Sequence, residues 1–362
     1  MSAPASITFF VDPAWRREGL SHIPLLFPFW GNSVTSNSPF HYALFEKYSF
    51  DTSYYSITDD PAKADMVLMP YSHNTALTKY PELIAECAKR AQELGKLLLI
   101  DGVGDIEQSI DIPHAVILRY GGYRTALDSR ELHIPPYADD LLQRYCGGVL
   151  QVRDKAAVPV VGFAGWTQMG PIQLIKALIK ELPMRLRSQF DWRYGAHIKG
   201  IFLRRRALAA LRRSTQIVTH IIERGSYSAH TKTASGAPHE LQREFVDTIL
   251  ASDYCLDVRG DANNSTRLFE ILSLGRIPVI VDTERNLPFG GEVDYKSFAL
   301  LVDFRDIDQL SERIIQFNQS LSPERFAQMQ HTARQAYEQY FRIDAVMPHI
   351  IAKLKERITL YE

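Results

Sequence analysis

Residues 252–282 read SDYCLDVRGDANNSTRLFEILSLGRIPVIVD, and this order of residue types predicts a strand, a loop, a helix and a second strand. Residues 254–258 are a short run of β-forming apolar residues. Residues 277–281 are a continuous apolar run, as in a strand that is covered on both faces. Between them, apolar residues at 268–272 recur at helical spacing, and Gly275 is expected to end that helix. The stretch therefore predicts one unit of a parallel α/β sheet.

The loop and the first helical turn of this unit carry residues that bind anions. Ser265 stands at the helix N-cap, where its hydroxyl is expected to accept from a backbone N–H of the first turn. Arg259 precedes the helix and Arg267 lies in its first turn, and a guanidinium can hold a phosphate through two parallel hydrogen bonds. Glu270 lies one turn further, where its carboxylate could accept from two sugar hydroxyls. Donors for a diphosphate beside an acceptor for a ribose are what a nucleotide-sugar site needs.

Spacing alone leaves a second interpretation open for this region. Arg267 and Glu270 are three positions apart, so they could instead form an ordinary surface ion pair that contributes little. A loop before a helix is common in α/β units, and it does not decide between the two.

The same region resembles the exostosin family, glycosyltransferase family 47. The matching residues are Ser252-x-Tyr254-Cys255-Leu256, Arg259-Gly260-Asp261, Ser265-x-Arg267-Leu268-Phe269-Glu270, Gly275-x-Ile277-Pro278-Val279-Ile280, Leu287-Pro288-Phe289 and Val293-Asp294-Tyr295-x-x-Phe298. A weaker second match is the segment ADMVLMPY at residues 64–71. So many matches at fixed spacing make the resemblance specific.

The resemblance implies an inverting transferase that uses a nucleotide sugar, with uridine diphosphate as the carrier because family members use it. It implies the GT-B fold, an α/β architecture of two doubly wound Rossmann-like domains that face a central cleft. The residues expected to bind the donor on the loop and helix are Arg259, Gly260, Asn264, Ser265, Arg267 and Glu270. The arginines and the serine would meet the diphosphate, and the glutamate would meet the ribose.

Other arginines are also candidates for the donor phosphates. Arg224 ends a predicted strand at 216–224, and ligands of open α/β sheets bind outside the carboxyl ends of the strands. A predicted helix at 201–214 carries five more, at positions 204, 205, 206, 212 and 213. A solvated face explains these, and one arginine reaching the phosphates is the alternative. Arg224 is a better candidate for the donor phosphates than the five arginines of this helix.

The acceptor hydroxyl needs a base, and three residues of the first half are candidates. Asp101 and Asp105 follow the predicted strand at 96–100, and His73 follows the apolar run of the 64–71 segment. Strand ends of this kind meet at the ligand-binding edge of a sheet. The alternative is that an aspartate merely caps the next turn. The sequence does not choose among the three.

Strands alternate with helices on both sides of a segment that is rich in proline, glycine and charge, at about residue 155. We expect an acceptor-binding domain at 1–155 and a nucleotide-sugar-binding domain at 156–340. By resemblance, the C-terminal helix at 341–362 packs back on the first domain.

Composition excludes several classes of protein. The 362 residues are 46% hydrophobic and 23% charged, as in a soluble globular protein. A net charge of −1 gives neither a nucleic-acid signature nor a polybasic membrane patch. No apolar run approaches a membrane span, and the start has no signal-peptide pattern. Three distant cysteines without zinc spacing are expected to be reduced thiols, with Cys255 buried in a strand. These features favour a cytoplasmic enzyme of bacterial or viral type, or else a shortened chain.

The sequence therefore predicts an inverting, metal-independent glycosyltransferase that moves a sugar from a nucleotide sugar to a hydroxyl of a glycan and uses no cofactor. The Asp–Asp pairs at 59–60 and 139–140 do not end apolar strands, as a metal-binding motif should. The alternative is a non-catalytic subunit that binds nucleotide sugars. A third interpretation is an interaction module that uses the arginine-rich helix.

Overall fold

The structure is a computed structural model, and it describes residues 6–34, 44–104, 109–225 and 238–361. The first sheet contains β1 (Ile7–Phe10), β2 (Tyr55–Thr58), β3 (Met66–Leu68), β4 (Leu98–Asp101), β5 (Ala115–Arg119) and β6 (Glu131–His133), in the order β2-β1-β3-β4-β5-β6. The second contains β7 (Val160–Trp166), β8 (Val218–Arg224), β9 (Tyr254–Asp257), β10 (Ile277–Asp282) and β11 (Leu300–Asp303), in the order β11-β10-β9-β7-β8.

Helices connect these strands. The α-helices are α1 (Phe27–Trp30), α2 (His73–Lys79), α3 (Pro81–Glu93), α4 (Leu141–Cys146), α5 (Pro171–Arg187), α6 (Arg193–Ala196), α7 (Gly200–Arg213), α8 (Pro238–Leu250), α9 (Thr266–Ser273), α10 (Leu310–Ser320), α11 (Pro323–Ala336) and α12 (Met347–Tyr361). Short 3₁₀ helices are Pro13–Trp15, Pro24–Leu26, Pro61–Lys63, Arg124–Ala126, Tyr295–Ser297 and Phe304–Gln309, and a π-helical turn, Tyr337–Phe341, continues α11. None of the described helices is long and apolar enough to cross a membrane.

Both sheets are doubly wound. All strand pairs that the structure describes within them are parallel. In each sheet the first strand lies inside: the chain adds one strand on one side of it and then builds outward on the other side. The order therefore reverses between β1 and β3, and again between β7 and β9. Such switch points are where open α/β sheets bind ligands. Two sheets of this kind confirm the predicted GT-B fold class.

The last helix packs on the first sheet. Met347, Ile350, Ile351 and Leu354 of α12 belong to the same hydrophobic cluster as the apolar residues of β1, β3 and β4. Phe269 of α9 joins this cluster, so the core of the first sheet reaches the helix that carries Arg267 and Glu270. The predicted domain limits at 155 and 340 stay a prediction.

The loops at the carboxyl ends of the two sheets touch each other. The Asn263 Nδ2 donates to the backbone oxygens of Gly122 and Thr283, each at 3.0 Å, and thereby joins the loop after β5 to the second sheet. Arg124 forms an ion pair with Asp282 at 2.8 Å across the same junction. The two sheets are therefore held together beside their ligand-binding edges.

The central stretch folds as its sequence predicts. The strand at 254–257, the helix at 266–273 and the strand at 277–282 all form, and Gly275 has a φ of +62° after the helix, a backbone conformation that glycine adopts without strain. Cys255 is buried in β9, and Cys87, Cys146 and Cys255 are all free thiols. Helix α5 continues through Pro183 to Arg187.

Candidate functional site

Arg267 lies over the switch point of the second sheet. Its Nη2 donates to the backbone oxygen of Ala164 in β7 at 2.8 Å, and its guanidinium carbon lies 4.6 Å from the centre of the Phe163 ring. Gly165 makes this position possible, because a Cβ there would overlap the Arg267 Nη2. The packing places a cation at the end of β7, as an anion site at a switch point requires.

Arg259 is almost fully buried and makes hydrogen bonds with the backbone. Its Nη1 donates to the oxygens of Gly260 and Asp261, and its Nη2 donates to those of Ala196 and Ile198. These bonds use the four terminal N–H groups of the guanidinium. Arg259 therefore ties the loop before α9 to the segment after α6, and its predicted bond to the diphosphate, which stays a prediction, would require some of these bonds to break.

Arg204 is a third cation of the site, and it comes from the arginine-rich helix. Its Nε donates to the Val258 oxygen at 3.2 Å and its Nη1 to the Trp166 oxygen at 3.3 Å, so it bridges the ends of β7 and β9. A signal was present in the sequence: Arg204 lies in line with Ile201, Leu208 and Leu211 on the inward face of α7. Other arginines of α7 lie at the surface, where Arg206 pairs with Asp308 and Arg212 with Glu223.

Ser265 occupies the predicted N-cap position but does not cap the helix with its side chain. Its hydroxyl donates to the buried carboxylate of Asp257, which also accepts from the Arg285 Nη1 at 2.6 Å. The predicted cap bond is therefore wrong. A buried carboxylate that lacks donors is more costly than an uncapped helix turn, so the hydroxyl goes to Asp257. The Ser265 hydroxyl thus leaves the first-turn N–H groups of α9 to another acceptor.

Glu270 lies one turn further along α9 and is half-buried. Burial raises the pKa of its carboxyl to about 7, with the charge of Arg267 opposing the shift and the carboxylates of Asp139 and Asp257 adding to it. Within the part of the chain that the structure describes, neither a hydrogen bond nor an ion pair joins Glu270 to Arg267. The surface ion pair that spacing allowed is thus not formed. The carboxylate keeps its acceptor capacity for a ligand.

The remaining predicted donor residues lie around this point. Gly260 packs against the start of α7, where a Cβ on Gly200 would overlap the Gly260 oxygen. Asn264 lies against Gly121 of the first sheet, whose Cβ would come within 2.9 Å of the Asn264 Cβ. Arg224 ends β8, but its Nη2 donates to Glu244 at 2.7 Å and to the Leu241 oxygen at 2.9 Å in α8. Arg224 therefore lies one strand further from the switch point than Arg267, which contacts β7, and it already forms an ion pair with Glu244.

Two of the three candidate bases lie beyond the carboxyl ends of adjacent strands of the first sheet: Asp101 is the last residue of β4, and His73 lies five positions after the end of β3. Asp101 is buried, and burial raises the pKa of its carboxyl to about 7 although the Val103 N–H, which donates to it at 3.0 Å, opposes the shift. That bond is the turn-capping role that the sequence left open. His73 begins α2, and burial, with the charge of Arg119, lowers the pKa of its imidazole. Asp105 lies outside the described residues.

A comparison with known families adds to this geometry. Residues 200–316 match the family model of the Exostosin GT47 domain. Over these residues the chain is similar to the exostosins. The matched region begins at the first residue of α7 and includes Arg204, Arg259, Arg267 and Glu270, so it contains the cationic end of the second sheet. The resemblance inferred from the sequence is thereby confirmed over this region.

The relatives of the exostosin domain are longer proteins. The chain is 32% identical over 121 residues to the Exostosin-1 homolog of Caenorhabditis elegans, which covers 33% of this chain and 31% of that protein. It is 29% identical over 124 residues to Exostosin-1 of Drosophila melanogaster, which covers 34% of this chain and 16% of that protein. The matches thus span about a third and about a sixth of these relatives. A solved structure, Anabaena Alr3699/HepE in complex with UDP and glucose, is 10% identical over 97% of this chain and 99% of that chain, with a TM-score of 0.38.

The loop after β5 of the first sheet contacts one side of the candidate site. The Tyr123 ring, from the loop after β5, lies 3.9 Å from the ring of His197, measured between centroids, and 5.9 Å from the guanidinium carbon of Arg259. Because Tyr123 follows the strand β5, the strand-end rule predicts that it lies at this edge, but its loop has no pattern that predicts a role for it. All three candidate bases and Tyr123 lie outside the matched residues 200–316.

Proposed function

We propose that this protein is an inverting glycosyltransferase that moves a sugar from a uridine diphosphate carrier to a hydroxyl of a glycan. One observation carries the proposal: Arg204, Arg267 and the N-terminus of α9 converge on the switch point between β7 and β9, with Glu270 one turn away. Helix α9 thus carries the ribose acceptor and most of the anion site, and α7 adds Arg204.

The cationic end of the second sheet acts on the leaving group. As the bond between sugar and diphosphate breaks, negative charge grows on the diphosphate. Arg267 and the partial positive charge at the N-terminus of α9 stabilise that charge. Arg204 and Arg259 hold the surrounding loops by backbone hydrogen bonds, and their charges add to the field from a partly buried position.

Glu270 fixes the nucleotide by its ribose. Two ribose hydroxyls that donate to the carboxylate favour its ionised form, so the bound nucleotide lowers the pKa that burial has raised. The proton is released as the nucleotide enters. This residue binds and orients the donor and takes no part in bond breaking.

The base that deprotonates the acceptor is drawn from the carboxyl edge of the first sheet. His73, which burial keeps neutral, can accept a proton at neutral pH. Asp101 is a second candidate, because burial raises the pKa of its carboxyl to about 7, near the pH at which a base must act. Asp105 keeps its place among the candidates.

Metal independence is part of the proposal, and the aspartate pairs support it. Asp140 is buried and accepts from Arg334 at 2.7 and 2.9 Å, and Asp139 pairs with Arg144 at 2.7 Å. Asp60 accepts from the Ala62 N–H at the start of a 3₁₀ helix. These carboxylates are committed to structural contacts, and arginines supply the positive charge at the leaving group.

The direct test is release of nucleoside diphosphate from a panel of nucleotide sugars and glycan acceptors, with and without EDTA. We expect release with a uridine diphosphate sugar, unchanged by EDTA, and a product whose anomeric configuration is inverted by NMR. Binding of uridine diphosphate without release, for every acceptor tried, would instead support a non-catalytic subunit.

Arg267→Ala tests the phosphate role. We expect it to lose about 10²- to 10³-fold in turnover, as when a preorganised donor to a developing anion is removed. Arg224→Ala is the matched control, since that arginine already pairs with Glu244. Equal melting temperatures show that both variants fold. An equal loss in both variants would contradict the specific phosphate role proposed for Arg267.

A further inference from the structure

Helix α5 turns its apolar side to water. Its residues at positions 172, 175, 179, 182 and 186 are large and aliphatic, and each is between 52% and 71% exposed. The steps of three and four place them on one face, and we call this face the α5 stripe (Ile172, Ile175, Ile179, Leu182 and Leu186). None of the residues of α5 is buried. Scattered exposed leucines are ordinary, but a continuous stripe of five marks a binding surface.

Basic side chains border the α5 stripe. Lys176 and Lys180 are exposed on one flank, and Arg187 follows the same side one turn or two further on. Glu181 is the single acid within α5, which the structure describes in full. It lies on the side facing the protein, where its carboxylate accepts from the Lys199 N–H at 3.2 Å. The outward half of α5 thus combines an apolar stripe with positive charge alone.

Aromatic residues extend this surface beyond the helix. Phe190, in the turn after α5, is 93% exposed, and Trp192 is 42% exposed. Aromatic rings with one wet side are favoured at the boundary between lipid and water. An amphipathic helix with lysines along its apolar face, followed by such rings, has the features of helices that lie in a bilayer surface.

We propose that the α5 stripe and Phe190 dock this protein on the surface of a membrane that contains anionic lipids. Charge complementarity favours an anionic membrane over a second copy of the chain. A second copy of the chain would bring one basic flank near another, with no acid on the outward half of α5 to pair with it. Anionic headgroups pair with the lysines while the stripe enters the acyl boundary. The proposal is independent of sugar transfer and does not need a membrane-spanning helix.

The test is flotation of the full chain with vesicles. One set is phosphatidylcholine alone, and the other contains about a third phosphatidylglycerol, so that the anionic charge is the only difference. We expect binding to the anionic set to be about tenfold or more stronger, and to weaken as salt is raised. Equal or absent binding to both sets would overturn the proposal.

Variants of the helix locate the contact. The double change Ile175→Glu and Ile179→Glu should abolish flotation, and Lys176→Glu with Lys180→Glu should remove the preference for anionic vesicles. Leu127→Glu and Lys63→Glu, at exposed positions elsewhere, are matched controls that should float as the wild type does. All four positions of the helix variants are exposed, so equal melting temperatures are expected.

Three results would contradict the proposal. If the Ile175→Glu and Ile179→Glu protein floats as well as the wild type, the α5 stripe is not the contact. The wild type could instead fail to float and run as a dimer. If the Ile175→Glu and Ile179→Glu variant is then a monomer, the α5 stripe is a dimer interface. If the α5 stripe binds an acidic protein and does not bind vesicles, its partner is that protein and the membrane proposal is wrong.

Discussion

The Ser265 hydroxyl donates to the carboxylate of Asp257, across the loop that separates β9 from α9. The same carboxylate accepts from Arg285, so two donors from opposite sides hold one buried charge. The loop between Asp257 and Ser265, which carries Arg259, Gly260 and Asn264, is thereby closed at its base. The geometry of the candidate donor loop thus depends on a buried carboxylate that already accepts from Ser265 and Arg285.

Ser265→Asp distinguishes this role from helix capping. If Ser265 were a cap, aspartate would serve as well, since both are favoured N-caps. Here the new carboxylate would stand beside the buried Asp257, and we expect a loss of about 3 kcal/mol or more in the free energy of unfolding. Ser265→Ala should lose about 1–3 kcal/mol, because one donor to a buried charge is removed. Denaturant unfolding measures both.

The comparison has a built-in check. Ser322 is the N-cap of α11 and its hydroxyl does accept from the Arg325 N–H. Ser322→Asp should therefore be close to neutral. Similar stabilities for the two aspartate variants would contradict the Ser265–Asp257 contact.

Gly165→Ala tests the position of the Arg267 side chain at the end of β7. The added methyl would meet the Arg267 Nη2, and the arginine must shift away from the end of β7. We expect the affinity for uridine diphosphate and the turnover to fall, by up to about a hundredfold if the shift is near one ångström. Isothermal calorimetry and the release assay measure the two effects.

Gly291→Ala is the control for that change, because no heavy atom lies within 4 Å of a Cβ at this position. It should leave binding and turnover unchanged. Should Gly165→Ala behave like Gly291→Ala, Arg267 is not held where the structure has it, or is not needed.

Glu270 should make nucleotide binding depend on pH. Its pKa is raised to about 7 in the free protein, and ribose hydroxyls prefer the ionised carboxylate. A ligand that favours the ionised form binds more tightly as pH rises, so uridine diphosphate should bind several-fold more tightly at about pH 8 than at about pH 6. Glu270→Gln should bind more weakly at both and lose most of this dependence.

The phosphate of the ligand titrates in the same range, so it needs its own control. Uridine, which has no phosphate, and deoxyuridine diphosphate, which lacks one ribose hydroxyl, separate the two contributions. A pH dependence that is the same in wild type and Glu270→Gln would exclude Glu270 as the ribose acceptor.

Asp101 should lower the stability of the protein as pH rises. Its folded pKa of about 7 lies above the ordinary value of 3.8 for an aspartate, so the folded state holds the proton more tightly than the unfolded state between these values. The stability that this proton gives is present at low pH and is lost as pH rises through about 7. Asp101→Asn keeps the oxygen that accepts from the Val103 N–H and needs no proton, so it should be more stable than the wild type at about pH 8.

Denaturant unfolding of both proteins at several pH values measures this difference. Asp111→Asn, at a highly exposed aspartate of the same region, should change little. If Asp101→Asn is instead less stable at high pH, the carboxylate is stabilised by a contact beyond Val103. Turnover of the same variant reports separately on whether Asp101 acts as the base.

The sequence by itself determined the features that are local or periodic. Apolar runs and helical spacing gave the strand, helix and strand around Glu270, and Gly275 marked the helix end because its position requires a left-handed backbone. The alternation of such units predicted two doubly wound sheets. Fixed spacings within about fifty residues were enough for the family resemblance, and they lie within the region that the exostosin family model matches.

Only the tertiary structure decided which partner each polar group takes. The Ser265 hydroxyl turned from its own helix to Asp257, Arg259 donated to the Ala196 oxygen 63 positions earlier, and Arg204 came from a helix that reads as solvated. It also decided that the apolar stripe of α5 faces outward, since a helical pattern gives a face but not what covers it. Buried charges take the donors that the fold brings near them, and those donors are distant in the chain. Sequence spacing, which describes near neighbours, cannot rank them.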